Sequence, residues 1–287
     1  MKKHEALLNR IVDNVINILL GTVLIVSIYP LWYIMINSIS SSSAVARGVY
    51  FWPSEFTLAN YREVFSIPLV YTGMLISAAR AIAGSVMSVL CTGFLAYLIT
   101  NRDLPLRKLI YRMCVITMYI SSGIIPWYIT MNKLGLKNNF LLYVLPTAVN
   151  GYYLILIKTY FESIPYALEE SAQLDGAGIF TIFFKIIMPL AKPILACVIV
   201  FAAVSQWNSW MDNMFLVTDK RLQTLQYMLY QTIQSKGMAN AIQHGESIKP
   251  LALRLTMTFI TVAPILMVYP FMQRFFVKGI MLGAVKG

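Results

Sequence analysis

The chain has 287 residues, 58% of them hydrophobic and 12% charged, and a mean hydropathy of +0.67, whereas soluble domains carry about 25% charged residues. That balance excludes an ordinary soluble globular protein and points to an integral membrane protein. The net charge of +11 sits mainly in connections between apolar runs, so it reads as membrane topology and carries no nucleic-acid role.

Apolar runs extend over Asn14 to Arg47, Ala81 to Asn101, Met113 to Asn132, Asn138 to Ile157, Pro193 to Met211 and Leu255 to Gln273. Each supplies the roughly 20 residues, at about 1.5 Å rise each, that cross a hydrocarbon core of about 30 Å. The expectation is an all-α membrane protein of six transmembrane helices forming one domain over 1–287. The first run is too long for a secretory signal and no small-residue cleavage site follows it, so it is expected to stay as helix one. Lys2, Lys3 and Arg10 precede that helix. Arg102, Arg107, Lys108 and Arg112 lie in the second connection, Lys158, Lys185 and Lys192 in the fourth, and Arg274, Lys278 and Lys286 at the end. Together they are more than half of the 23 Lys and Arg, which places both termini in the cytoplasm.

Helix one ends in YPLWYIMINSISSSS, where Pro30 can kink it and the serines at 38 and 40 to 43 break it. The first outer loop holds YFWPSEFTLANYREVF, an aromatic stretch read as an interfacial belt in preference to a surface beneath a partner. Arg80 is a charge within span two. It either faces a polar pathway or, the preferred reading, snorkels outward from within about two turns of the span's end. In SSGIIPWYITM a Gly and a Pro predict a bend, and the short loop NKLGLKNN predicts that spans three and four pack as antiparallel neighbours. Tyr152 and Tyr153 in span four are weaker candidates for contact with a transported solute. The longest connection, from about Asn208 to Arg254, contains LQTLQYMLYQTIQ, whose Leu222, Leu225, Met228 or Leu229 and Ile233 recur at helical spacing and predict one amphipathic helix packed on the protein.

Enzyme chemistry finds little to work with. His4 and His244 are the only histidines and fall in a tail and a loop, so no metalloprotease helix and no Ser-His-Asp set can be assembled. Cys91, Cys114 and Cys197 lack CxxC spacing and read as small apolar packing residues. No GxxxxGK[ST] phosphate loop is present. Uphill transport would therefore need another subunit to consume the nucleotide.

The segment EESAQLDGAGIFTIFFKIIMPLAKP, within 165–193, interrupts the apolar pattern. Pro165 opens a run of helix formers with Glu169 and Glu170 in its first turn, where the helix dipole favours negative charge. Asp175 and Gly176 end that helix, Asp175 is positioned to cap the next, and Ala177 and Gly178 keep the corner small. IFTIFFKIIMP then forms a second helix continuous with span five. The plain reading is a helical turn re-entering the interface; the functional one is a corner that enters a groove on another protein. At the end of span five, WNSW places Trp207 and Trp210 three apart, on one face if the helix continues, with Asn208 and Asn213 as hydrogen-bonding groups. Aromatic faces with amides suit sugar rings, and Trp there also suits interfacial anchoring.

The segment resembles the EAA signature of binding-protein-dependent ABC importer permeases: EAA, three residues, G, nine residues, I, one residue, LP. Here it runs Glu170, Ser171, Ala172, Gly176, Ile186, Met188, Pro189, with Ser171 in place of the first Ala and Met188 in place of Leu. SSGIIPWYITMNKLGLKNNFLLYVLP, VSQWNSWMDNMFLV and VYPFMQRFFVKGIMLGAVKG extend the likeness over nearly the whole chain, to the MalG-type carbohydrate permeases and most closely the LplC/YtcP-like branch.

The resemblance implies a type I ABC importer permease fold with a cytoplasmic coupling helix between spans four and five. It implies a multi-pass subunit of a bacterial cytoplasmic membrane, non-catalytic and without a cofactor of its own. The implied partners are a second, homologous permease, two ATPase subunits that hold ATP and Mg, an extracytoplasmic binding protein that delivers saccharide, and membrane lipid. Glu170, Ser171, Ala172, Asp175, Gly176 and Ala177 would form the ATPase contact, and Pro189 would set the angle to span five. The alternatives are an ABC permease for another solute such as peptides, or an ATP-independent carrier or channel, which would require paired intramembrane charges or inverted halves.

Overall fold

A computed structural model describes residues 2–102, 104–234 and 251–284, with side chains described for 10–102, 104–234 and 251–270. In chain order the helices are α1 (Lys2–Ser38), α2 (Ser42–Arg47), α3 (Ala59–Phe65), α4 (Pro68–Thr100), α5 (Arg107–Ile116), α6 (Ile124–Lys133) and α7 (Leu141–Val144). They continue as α8 (Gly151–Phe161), α9 (Ala167–Leu174), α10 (Ile179–Ile182), α11 (Met188–Leu190), α12 (Lys192–Asn208), α13 (Met211–Leu216), α14 (Leu225–Ile233) and α15 (Leu251–Ala284). Among the described residues there is no strand, only an isolated bridge between Ser40 and Phe56.

Among the described residues, three helices are long and apolar enough to cross a membrane: Arg10–Ser38, Pro68–Thr100 and Leu251–Pro270. Two bent pairs raise the number to as many as five: Leu141–Thr147 with Gly151–Phe161 at 52°, and Ile179–Leu190 with Lys192–Asn208 at 87°. The third expected span, Met113 to Asn132, is not one helix. The bend expected at SSGIIPWYITM is a full interruption, since α5 stops at Ile116 and α6 starts only at Ile124, after Gly123 at φ +75°. Pro126 lies in the first turn of α6, where its missing N–H costs nothing.

The described chain clusters into two compact units. In the unit of 1–68 and 231–263, the serine run breaks α1 as expected, and its last turn is closed by side chains. Asn60 donates from Nδ2 to the carbonyls of Ser38 and Ser40, at 3.2 and 2.7 Å, and Thr256 donates to Ser38 O at 3.3 Å. The aromatic loop folds back along α1: Trp32 Nε1 donates to Phe51 O at 2.9 Å, and the Trp32 and Trp52 rings meet edge-on. Phe51 and Trp52 stay largely exposed.

Within this loop Glu55 adopts φ +51° and accepts hydrogen bonds from Ser41, Ser43 and Arg47. The Ser41 hydroxyl, then Arg47 and Ser43, hold its carboxyl below the ordinary value of 4.5. A depressed folded pKa gives stability that is present above the unfolded value and lost as pH falls through the folded one. Amide exchange at Ala44 and Val45 is therefore expected to be unchanged between pH 8 and 6 and to quicken, after correction for intrinsic rates, only below about pH 4.5. Glu55→Gln should remove that acid step.

In the unit of 69–230 and 264–287, α4 is the central post. Its buried positions Gly73, Ser77, Gly84, Ser88, Thr92 and Ala96 recur at intervals of four or seven residues, forming a small-residue stripe on one face that lets neighbouring segments approach closely. A Cβ on Gly73 would fall 3.4 Å from Leu225 N of α14, and Gly93 lies just under 4 Å from Phe183 and Leu195. The predicted amphipathic helix begins at Leu225. Leu225 and Leu229 are buried, Leu222 belongs to the preceding 3-10 turn, and the remainder of that connection, 235–250, lies outside the described residues. Arg107 closes the end of α4 by donating to the carbonyls of Thr100 and Asn101.

Candidate functional site

The corner between α9 and α12 is built by its own sequence. Leu174 ends α9, Asp175 caps it, and Gly176 takes φ +79°. Gly176 N–H then bonds Gln173 O at 3.0 Å and Ala177 N–H bonds Ala172 O at 2.9 Å, the paired closure of a Schellman motif. Ala172 and Ala177, the residues flanking the turn, both pack on the same core. Gly178 takes the N-cap position of α10, with no side-chain cap. Asp175 thus terminates the first helix and does not start the second, a correction that follows from the extra two residues the glycine turn consumes.

The second helix differs from the expected smooth continuation. It widens into a π turn over Phe183–Ile187, directly ahead of Pro189, whose ring would collide with the carbonyl four residues earlier in a regular helix. At Ala191 the chain turns by 87° into α12, which carries Pro193 in its first turn. Pro189 therefore relaxes the helix leading into the bend, and the turn itself falls at Ala191.

Glu170, Ser171, Asp175, Gly176 and Pro189 are exposed, whereas Ala172 and Ala177 are partly buried against the chain's own core. Nothing lies within 4 Å of a Cβ placed on Gly176. Leu174, beside it, is 89% exposed, an apolar knob absent from the sequence-based set. Its signal was available: it is the last helical residue before the glycine turn, on the same face as exposed Ser171 and away from core-facing Ala172.

A second constellation lies around Arg80. The residue does not snorkel: it is 2% exposed. Its Nε donates to Gln206 Oε1 at 2.8 Å, one terminal nitrogen donates to Ser209 O at 3.2 Å and to Asp212 Oδ1 at 3.0 Å, and the other pairs with Asp212 Oδ2. The guanidinium lies 4.5 Å from the centre of the Tyr143 ring. Gln206 Nε2 donates to Tyr143 O at 3.0 Å and to Thr147 Oγ1 at 2.6 Å. Tyr143 donates to Leu222 O at 2.7 Å and accepts from Asn213. The outward reading failed because a snorkelling arginine needs a lipid-facing helix surface, and position 80 lies within the small-residue stripe.

The cluster has a clear physical task. Helix α12 stops at Asn208, and Ser209 is extended (φ −76°, ψ 132°) before α13 begins, so carbonyls are released in an apolar setting and must be satisfied internally. Arg80 takes the Ser209 carbonyl. Thr92 does the same at the 52° bend, donating to Ala148 O and accepting from Asn150 N–H, each at 3.2 Å. Gly84 is needed for this fit, since a Cβ there would fall within 3 Å of three Gln206 side-chain atoms. Gly84→Ala is expected to displace Gln206 from Arg80, Tyr143 and Thr147 and to cost about 1–3 kcal/mol, read as a fall in the unfolding temperature of the detergent-solubilised chain.

The candidate solute residues separate. Trp207 and Trp210 do not share a helix face, because the chain is extended at Ser209 between them. Trp210 stacks on Tyr230 with ring centres 4.0 Å apart. Asn213 is fully buried against Tyr143, and Asn208 is exposed. Tyr152 and Tyr153 open α8, their N–H groups capped by Asn150 Oδ1 at 3.0 and 3.1 Å; Tyr152 is exposed. Trp207 and Asn208 at the end of α12 are thus apart from the buried Asn213.

Helices are interrupted within apolar runs, the breaks at Ser209 and at Ala148–Asn150 are satisfied by Arg80 and Thr92, and an exposed small corner leads into α12, a pattern that suits a membrane-embedded component engaged by another protein. Residues 88–281 match the family described as binding-protein-dependent transport system inner membrane component, and the chain belongs to that family. It is 34% identical to the polygalacturonan/rhamnogalacturonan transport system permease protein YtcP of Bacillus subtilis (strain 168), over 97% of this chain and 99% of that protein. It is 35% identical to protein LplC of the same organism, over 99% and 98%. Its fold matches a chain in the crystal structure of a bacterial ABC transporter involved in the import of the acidic polysaccharide alginate, with a TM-score of 0.84 and 30% identity, covering 93% of this chain and 97% of that one. The importer-permease class expected from residues 170–189 holds, and the protein is a transport component and not an enzyme.

Proposed function

We propose that this chain is one transmembrane subunit of an ATP-driven importer of oligosaccharides or related saccharides, working by alternating access. The observation that carries the proposal is the corner at Gly176. It is an exposed, side-chain-poor turn fixed by a Schellman closure and joined through a helical segment and an 87° bend to the apolar α12, so a push on it is delivered to α12. Glu170, Ser171, Leu174, Asp175 and Gly176 meet an ATPase subunit that binds ATP and Mg, while Ala172 and Ala177 hold the corner to this chain and Pro189 shapes its exit. The rest of the machine is a second permease, a second ATPase and an extracytoplasmic binding protein. The whole chain acts as one transmembrane domain with both termini in the cytoplasm, and exposed Asn208, with Trp207 beside it in the chain, lines the solute pathway.

Arg80 and Asp212 form the kind of charge pair a carrier would need, but the guanidinium is enclosed and engaged with three partners, which supports a tie between helices over an ion relay. The test is purification of the tagged chain from its native membrane in mild detergent, followed by reconstitution with the proteins that accompany it. Recovery of a second permease with an ATPase, and ATP-dependent uptake of radiolabelled oligogalacturonides or neutral malto-oligosaccharides in preference to peptides, is the expected result. Uptake by cells lacking the ATPase would overturn it.

A further inference from the structure

The two adjacent glutamates of α9 face different surroundings. Glu170 is exposed, whereas Glu169 is partly buried and its Oε2 is enclosed with no hydrogen-bond partner among the described residues. Burial raises the Glu169 carboxyl above its ordinary value. Glu169 shares a helix face with Ala172, three residues on, and Ala172 packs on the core cluster that contains Tyr97. Tyr97 lies in the last turn of α4, is 1% exposed, and its hydroxyl is also enclosed without a partner. The two groups are within electrostatic reach of each other. One is a carboxylate acceptor and the other a hydroxyl donor. A buried polar group left unpaired is costly, so each of the two gains by meeting a complementary partner.

We infer that Glu169 and Tyr97 are the two halves of a latch between the docking corner and α4, parted in this conformation and joined by a Tyr97 O–H to Glu169 Oε2 hydrogen bond in another conformation of the transport cycle. The inference rests on the corner being the ATPase dock. Movement of α9 toward the end of α4 closes the latch, so the corner's position is conveyed to α4 as well as to α12. Glu169 acts here as a positioning residue, with Glu170 left to the partner.

The test uses the complete assembly in proteoliposomes and reads oligogalacturonide moved per ATP hydrolysed, with thermal stability and ATPase recovery scored for every variant. A purely structural role predicts that Tyr97→Phe, which deletes an unpaired buried hydroxyl, is neutral or stabilising and moves nothing else. The latch predicts stability retained and the transport ratio lowered about fivefold or more. Glu169→Gln, still an acceptor, should keep most of the ratio; Glu169→Ala should match Tyr97→Phe, and the double variant should be no worse than either single. A wild-type ratio in Tyr97→Phe, or losses that multiply in the double variant, overturns the latch while the dock stands. Absence of an ATPase from the wild-type assembly overturns the dock and the latch with it.

Discussion

Arg80→Ala is expected to destabilise the chain by about 3–5 kcal/mol, because it leaves Asp212 buried and charged without its partner. Asp212 is 11% exposed at its side chain, and the Ser209 carbonyl and Gln206 Oε1 would lose their donor in the same change. Asp212→Ala should cost a similar amount from the other side. Arg80→Lys is not a rescue, since a single ammonium cannot reproduce the forked pairing to a carboxylate together with the bonds to Gln206 and Ser209. Arg80→Met with Asp212→Leu should recover much of the loss, because replacing both members of a buried pair by apolar groups of similar volume avoids the stranded charge. Unfolding temperature and membrane level of the four variants are the measurements. Equal stability of Arg80→Ala and wild type would mean the arginine is not the tie described. The double variant separates stability from mechanism further: if it folds but transports poorly, the fixed break at Ser209 is needed for the pathway.

Gly176→Val is expected to abolish recovery of the ATPase while leaving most of the chain folded. Within this chain nothing opposes the new side chain, so the internal cost is the left-handed backbone, about 1–2 kcal/mol for a residue with a Cβ and more for a branched one. Gly176→Asn separates the two causes, because Asn tolerates that backbone region yet still adds bulk at the tip. If contact with the partner excludes any side chain there, both variants lose the ATPase, by about 30-fold or more in affinity for a central interface position, and only Val shows a lowered unfolding temperature. If Asn binds the ATPase normally, backbone strain and not close approach is what glycine supplies. Normal binding by both variants would move the dock away from this corner.

Much of the corner was legible in residues 165–193 because its determinants are local. A helix that runs into Asp-Gly stops within its own turn, the glycine takes the left-handed region because only it does so freely, and the chain's next hydrogen bonds follow from that. The 87° turn at Ala191 was not legible: Pro189 and Pro193 mark a disturbance, but its angle is set by the packing of Phe183, Ile187 and Leu195 on the core around Tyr97. Leu174 was overlooked because a leucine in a largely polar helix ordinarily faces inward, although its place just before the glycine turn marked it as part of the tip.

The sequence by itself determined that this is a helical membrane protein, where helices end at serines, glycines and prolines, and which short segment forms an exposed corner. These follow from hydrocarbon thickness and backbone chemistry acting over a few residues. Only the tertiary structure decided the pairing of Arg80 with Asp212, 132 positions apart in the chain, the burial of Asn213, the parting of Trp207 from Trp210, and the opposed environments of Glu169 and Glu170. The stripe Gly73, Ser77, Gly84, Ser88 could have placed Arg80 on the inner face, but its partner lies beyond the helix break at Ser209, whose carbonyl the arginine also satisfies. Contacts of that kind depend on two distant segments stabilising each other, and neither segment carries the information alone.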